Sequence, residues 1–373
     1  MATDSQIFLS PPDVGESERA AIMGAFEGGW IAPVGPDLDA FEHELAEYAQ
    51  APACVALASG TAALHLGLLL SGVKAGDEVV VQSATFAASA FPVVHAGAKP
   101  VFIDSEPDSW CMDPGLLKVM FESRVAKGEQ LPAAVMPVDL YGSVADYSAI
   151  GEVCEAYAVP IVRDAAEALG SVAATGPAGA LGIPTALSFN GNKIITTSSG
   201  GALLGTPDAI DRARYLATQA RQPLVHYEHT DIGYNYRMSN LLAALGRAQL
   251  AGLEEKIARR AEIANTYKES FPSFEWCPFG HTPRPNHWLS VALLPEGNPT
   301  ELCAALALQR IEARPAWKPM HQQPVFADCE MIIGQGFANR LFESGVCLPS
   351  GSSLSDADVE RVIGAVRSAL PGA

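Results

Sequence analysis

Lys193 lies in Ser188-Phe189-Asn190-Gly191-Asn192-Lys193-Ile194-Ile195-Thr196-Thr197, a turn-forming run that passes into β-branched residues and then Gly200-Gly201. The pattern predicts a lysine on a short turn where strand-like segments close in. Apolar walls disfavour the charged form of such a lysine and make its amine nucleophilic, as a Schiff-base lysine requires. A solvated loop lysine is the competing reading, so the neighbours decide. Pro160-Ile161-Val162-Arg163-Asp164-Ala165-Ala166-Glu167-Ala168 reads as a short buried strand ending in an acid. In an open α/β sheet the carboxyl ends of the strands form the rim where ligands bind. Ala58-Ser59-Gly60-Thr61-Ala62-Ala63-Leu64-His65-Leu66 reads as a tight turn opening a helix. Its first amides, at Gly60, Thr61 and Ala62, make an anion site suited to a phosphate. A phosphate cradle, an acid for a pyridinium nitrogen and a nucleophilic lysine, in that order, form a constellation for pyridoxal 5′-phosphate (PLP). Ser188, at strand-like spacing before the lysine, offers a hydroxyl to the same phosphate.

Alternation along the chain supplies the elements that position these residues. Strand-like runs at Glu78–Val81, Pro100–Ile103, Ala133–Val138 and Ile161–Val162 are mostly separated by helical stretches rich in alanine and leucine. This implies a mostly parallel sheet covered on both faces. Leu38, Phe41, Leu45 and Tyr48 recur at helical spacing after Pro36, and Ser355–Asp358 reads as a capping box opening a final helix. His65 is expected to be a packed helix histidine, and Tyr141 a structural support. In the last third, Arg314, Lys318 and His321 form a rare cluster of cations. Pro315 and Pro319 stiffen that loop and Trp317 anchors it, which favours a substrate-side role over solvated surface charge.

The 373 residues are 49% hydrophobic and 18% charged, which suits one large and one smaller domain, expected at 1–250 and 251–373. A net charge of −18 argues against nucleic acid and anionic membrane surfaces as partners. Met1–Gln6 lacks the basic-then-apolar pattern of a signal peptide, and no apolar run reaches membrane-spanning length. Seven scattered cysteines without paired ligand spacing read as reduced thiols of a cytoplasmic protein with no metal site.

The ordered set of motifs resembles the DegT/DnrJ/EryC1/StrS sugar aminotransferases along nearly the whole chain. It runs from Phe8-Leu9-Ser10-Pro11-Pro12 and Gly29-Trp30-Ile31-Ala32-Pro33 through the three motifs above to Gly233-Tyr234-Asn235-Tyr236-Arg237-Met238-Ser239-Asn240. The resemblance implies the fold-type I (aspartate aminotransferase-like) architecture, an α/β large domain with a smaller C-terminal α+β domain. It implies Lys193 and Asp164 as catalytic residues, Phe86 against the cofactor ring, and Trp30 near the mouth of the site. It also implies a homodimer in which Asn235 reaches the neighbour's phosphate. Glu167 stands where many relatives carry Gln or His, so its part in holding the cofactor stays open. Asp164–Gly170 and Arg314–His321 resemble the bacillosamine-pathway enzymes. That suggests amino transfer from glutamate to UDP-2-acetamido-2,6-dideoxy-4-hexulose, with dTDP- or GDP-linked keto sugars as alternatives. The related sugar dehydratases carry His at the lysine position, and a non-catalytic regulatory member would have no need of Asp164 and Lys193.

Overall fold

The computed structural model describes residues 5–370. Residues 1–4, part of the stretch read for a signal peptide, and residues 371–373 lie outside it. Eight strands form the main sheet: β1 (Ala53–Leu57), β2 (Glu78–Gln82), β3 (Lys99–Ile103), β4 (Ala134–Met136), β5 (Arg163–Asp164), β6 (Thr185–Ser188), β7 (Gly201–Gly205) and, from far along the chain, β11 (Met331–Ile332). Hydrogen bonding gives the orders β1-β7-β6-β5 and β11-β3-β2-β4. Parallel bridges Val135–Ile161 and Val138–Asp164 join the two through β4 and β5. β7 alone runs against the common direction of the strands, antiparallel to both β1 and β6. Because the strands are buried on both faces, they read as unbroken apolar runs such as Val79-Val80-Val81. Two apolar cores, one built around Phe41, Phe121 and Phe189 and one around Leu64, Leu66 and Phe102, lie against the sheet.

Helices fill the crossovers where the sequence predicts them. Pro36–Ala49 starts with proline at its first turn and buries Leu38, Phe41 and Leu45, while Tyr48 reaches Glu254 at 2.7 Å. His65 is buried on the helix Gly60–Leu70, with Tyr234 packed edge-on against it at 5.0 Å.

The remaining strands, β8 (Glu275–Trp276), β9 (Ser290–Leu293), β10 (Arg314–Pro315) and β12 (Gly345–Leu348), make an antiparallel sheet in the order β10-β12-β9-β8. A third core around Tyr267, Phe271 and Val362 packs on it. The final helix Asp356–Ala369 opens with the capping box of Ser355 and Asp358. The helix Asn240–Ala251 ends, and Leu253–Ser270 begins, close to the boundary proposed from the sequence. Two segments cross it. The N-terminal arm bridges Ile7 to Ile311, and β11 extends the main sheet beside β3.

Candidate active site

A cavity of about 300 Å³ opens at the carboxyl ends of β5 and β6, where the parallel-sheet argument expects a ligand. The helix Gly60–Leu70 points its N-terminus into it. Ser59 caps that helix by accepting from the Ala62 amide at 3.0 Å, which commits Ala62 to the cap. The amides of Gly60 and Thr61 remain for a ligand, and both residues line the cavity with Ser188. Close packing fixes this cradle. A Cβ on Gly201 would lie 2.4 Å from the Gly60 nitrogen, and one on Gly60 would lie 3.0 Å from the Ser188 Cβ. Glycine at 201 lets β7 meet the helix N-terminus backbone to backbone, and glycine at 60 lets the same turn close on Ser188 of β6.

Asp164 ends β5 on the cavity floor. Its Oδ2 accepts from Ser89 Oγ at 2.7 Å, and its Oδ1 accepts from the Ala166 amide at 3.1 Å. Ser89 is in turn bonded to Thr85 at 2.6 Å. Burial pushes the Asp164 carboxyl up to about 6, with Glu167 adding to the rise and the two hydrogen bonds opposing it. A cationic partner would favour the carboxylate, as a protonated pyridinium nitrogen would. Lys193 lies on the turn after β6, its amide bonded to the Asn190 carbonyl at 2.9 Å. The enclosure around its Nζ differs from the apolar walls predicted from the sequence. Glu167 Oε1 pairs with Nζ at 3.3 Å, and the Trp288 ring centroid lies 4.0 Å away. The other Glu167 oxygen accepts from the Tyr141 amide at 2.8 Å, and Tyr141 Oη accepts from the Trp317 amide at 2.8 Å. Tyr141 is therefore a structural support in this fold.

Gly60, Thr61, Phe86, Asp164, Glu167, Ser188 and Lys193 all line one cavity. Phe86 is half-exposed at its edge and tilts toward Trp317 at 5.8 Å. The other residues singled out from the sequence lie elsewhere. Asn235 bonds Gln219 on the exposed surface at 3.0 Å. Trp30 is half-exposed and outside the cavity, its carbonyl accepting from the Asn240 side chain. His321 bonds Ser83 at 2.7 Å, and Lys318 is exposed. Arg314 lines an adjoining chamber that shares Asn192 and Trp317 with the main cavity. Sequence reasoning passed over Trp288 and Ser89. Trp288 had no local signal beyond a strand-like run, whereas the Thr85–Ser89 spacing of one helical turn after a strand end could have revealed the pair behind Asp164.

This donor set fits pyridoxal phosphate. Amides and a hydroxyl meet a small anion, a buried carboxylate lies on the floor, an amine lies nearby and aromatic rings flank the opening. Among the described residues no group of three His, Cys, Asp or Glu side chains could hold a metal ion.

Comparison with known proteins agrees. The model of the DegT/DnrJ/EryC1/StrS aminotransferase family matches residues 12–367. The chain is 44% identical over 366 residues to EpsN of Bacillus subtilis (strain 168), a protein provisionally named a pyridoxal phosphate-dependent aminotransferase; the match covers 96% of this chain and 94% of EpsN. It is 33% identical to the GDP-perosamine synthase of Caulobacter vibrioides, over 98% of each. The PLP-form of Spr1654 from Streptococcus pneumoniae, provisionally named a sugar aminotransferase, superimposes with a TM-score of 0.87 at 27% identity over 98% of both chains. These likenesses bear out both the fold-type I architecture and the PLP dependence expected from the sequence.

Proposed function

The chain belongs to the DegT/DnrJ/EryC1/StrS aminotransferase family of PLP-dependent sugar aminotransferases, and from that premise we propose that it aminates a nucleotide-linked 4-keto-6-deoxy sugar. The acceptor in this reading is UDP-2-acetamido-2,6-dideoxy-4-hexulose and the donor is glutamate. The observation that carries the reading is the convergence of Lys193, Asp164 and the Gly60–Leu70 helix N-terminus on one cavity. The cofactor, when bound, supplies an electron-accepting ring through which an amino group can be exchanged. Gly60, Thr61 and Ser188 would hold its phosphate, and Asp164 a proton on its ring nitrogen. Lys193 Nζ would take up the proton that leaves the donor's α-carbon, with Glu167 and Trp288 fixing where the amine waits.

Support for the UDP-linked acceptor comes from the resemblance of Asp164–Gly170 and Arg314–His321 to the bacillosamine-pathway enzymes, and Arg314 lines a chamber adjoining the cofactor cavity. The likeness to GDP-perosamine synthase favours a second reading, a GDP-linked 4-keto sugar. Glutamate-dependent amination of UDP-, dTDP- and GDP-linked keto sugars decides between them. The highest kcat/KM is expected on the UDP substrate, and a preference for the GDP substrate would replace the first reading with the second.

The same reading makes the enzyme a cytoplasmic homodimer. Asn235 lies outside its own chain's cavity, on a segment that exposes Leu224, Val225, Tyr227 and Ile232. A twofold interface would cover that apolar surface and carry Asn235 to the partner's phosphate cradle.

A further inference from the structure

Arg260 on the helix Leu253–Ser270 is only 1% exposed, and no carboxylate pairs with it among the described residues. Asp13, the acid that acts on it electrostatically, is itself paired with Lys256 at 3.2 Å. Burial lowers the guanidinium to about 10, so it keeps its charge at neutral pH. A buried cation without a counter-ion is costly, and an apolar side chain of similar volume would fill the space at less expense. What the charge does here is visible in its bonds.

One guanidinium nitrogen donates to the carbonyls of Trp288 and Ser350, the second at 3.0 Å. The other terminal nitrogen donates to Ser10 Oγ at 3.1 Å, and Nε has no partner among the described residues. Arg260 therefore ties together the N-terminal arm, the entry to β9 and the loop after β12. Two of those ties lead on to the same atom. Ser10 Oγ donates to the Asn192 carbonyl at 2.8 Å, and Trp288 Nε1 donates to that carbonyl at 2.8 Å as well. The Asn192 carbonyl belongs to the peptide unit that carries the Lys193 nitrogen. The Trp288 ring, held from behind through its own carbonyl, is the face over which Lys193 Nζ sits.

We propose that Arg260 is a positioning residue for Lys193, acting through Ser10 and Trp288 to clamp the Asn192–Lys193 peptide. The clamp makes the aim of the reacting amine depend on how the N-terminal arm and the antiparallel sheet dock on the main sheet. It also gives a reason for a charge rather than an apolar side chain at position 260. Guanidinium geometry allows divergent donation to three acceptors on three segments, which neither an aliphatic chain nor a lysine reproduces.

Ser10→Ala is the sharper test, because it cuts one arm of the clamp without emptying the core. Hydrogen exchange followed by mass spectrometry on the holoenzyme reads the Asn190–Ser198 turn, whose amides at Lys193, Thr196 and Thr197 are all bonded. Ser10→Ala should speed exchange there by about tenfold, the scale of one charge-assisted bond, and leave β6 and β7 unchanged. It should lower kcat by a similar factor with the acceptor KM within about twofold. Ser10→Thr, which keeps the hydroxyl, should restore both. Arg260→Lys should show the same pattern with a larger loss. The inference rests on Lys193 being the reacting amine, but the exchange measurement does not depend on activity, so the two can fail separately. A drop in melting temperature with exchange and kcat unaltered in Ser10→Ala would overturn the proposal. So would a looser turn with unchanged kcat, or a fall in kcat with an unchanged turn.

Discussion

Asp164 and Arg314 are both charged side chains assigned to the same reaction, and the fold holds them in opposite ways. Asp164 is buried, with Ser89 and the Ala166 amide fixing both oxygens. Glu167 and Lys193 beside it are nearly as enclosed and are paired with each other. Arg314 has a side chain 62% exposed and leans on Glu312 at 2.9 Å, while its neighbour Lys318 is open to solvent. The rear of the cavity is thus set before any ligand arrives, and the mouth is not. Dipoles and charges that need no reorganisation are what make an electrostatic site effective. Exposed pairs such as Arg314–Glu312 contribute at most about 1 kcal/mol and can be exchanged for a substrate contact cheaply.

If that contrast is correct, single changes at the rear cost orders of magnitude and changes at the mouth cost small factors. Lys193→Ala should carry the largest loss, at least about 10⁴-fold in turnover, because no other basic side chain among the described residues lines the cavity. Circular dichroism should stay near wild type while the melting temperature falls, because the buried Glu167 loses the cationic partner of its Oε1. Ordinary glutamate-dependent turnover by the folded variant would sink the assignment.

Asp164→Asn comes next. It should bind cofactor, seen as a visible absorption band, yet lose about 10³-fold in kcat, a typical loss for a fixed catalytic charge. A loss below about tenfold, or 1.4 kcal/mol, would make Asp164 structural. The same pair of proteins gives a pH test in the cofactor-free state. Asp164 has a folded value of about 6 against an ordinary 3.8, so the folded protein binds its proton more tightly than the unfolded chain does. Its contribution to stability is therefore full below about pH 4 and is lost as pH rises through 6. Relative to Asp164→Asn, wild type should lose about 3 kcal/mol across that interval in urea titrations. A difference between the two that does not vary with pH would show that burial is not what governs this carboxyl.

The rear was largely legible in the sequence because each of its parts is local. A serine before Gly-Thr announces a capped helix, an acid after Ile-Val marks a strand end, and a lysine in an Asn/Gly turn sits beside a tight backbone approach. Each signal needs only a few consecutive residues, and chain order supplies the rest. Trp288 and Ser10 were not legible in that way. Both reach the Asn192 carbonyl, Trp288 from 96 positions away in sequence and Ser10 from 182. No periodicity reports such a contact. The prediction of an apolar enclosure for Lys193 missed for the same reason, because Ile194 and Ile195 turn into the core while Glu167 arrives from β5. The mouth was read from a cluster of cations on a proline-stiffened loop and from a resemblance, and clustering in sequence did not gather them in space. His321 turns to Ser83, while Arg314 lines the adjoining chamber.

The proposed homodimer would add a second chain as a further source of information missing from local sequence, and mixing experiments address it. Lys193→Ala and Asn235→Asp subunits should each be inactive, the second because a carboxylate repels the phosphate. If Asn235 serves the partner's site, a mixed dimer has one doubly damaged site and one intact site. Equal mixing with free exchange should then restore about a quarter of wild-type activity. No recovery, with mixed dimers demonstrated by mass spectrometry, would return Asn235 to its own chain and make the mouth a single-chain structure.

The smallest expected effect belongs to Arg314→Ala, and it tests the mouth most directly. Arg314 shares its chamber with Asn192 and Trp317, both of which also line the main cavity, so a ligand extending from the cofactor site would pass it. In the ligand-free protein its guanidinium is held by Glu312, whose other oxygen accepts from the Leu9 amide at 3.1 Å. Glu312 would therefore remain anchored when Arg314 turns to a phosphate or a sugar hydroxyl. Removing Arg314 should raise the acceptor KM about fivefold, the worth of one exposed charge contact, and leave kcat and the glutamate KM unchanged. High salt should shrink the difference between wild type and variant, because the contact is screened. A lowered kcat would place Arg314 with the rear residues and erase the contrast between the two regions. An unaltered acceptor KM would leave it as the surface partner of Glu312.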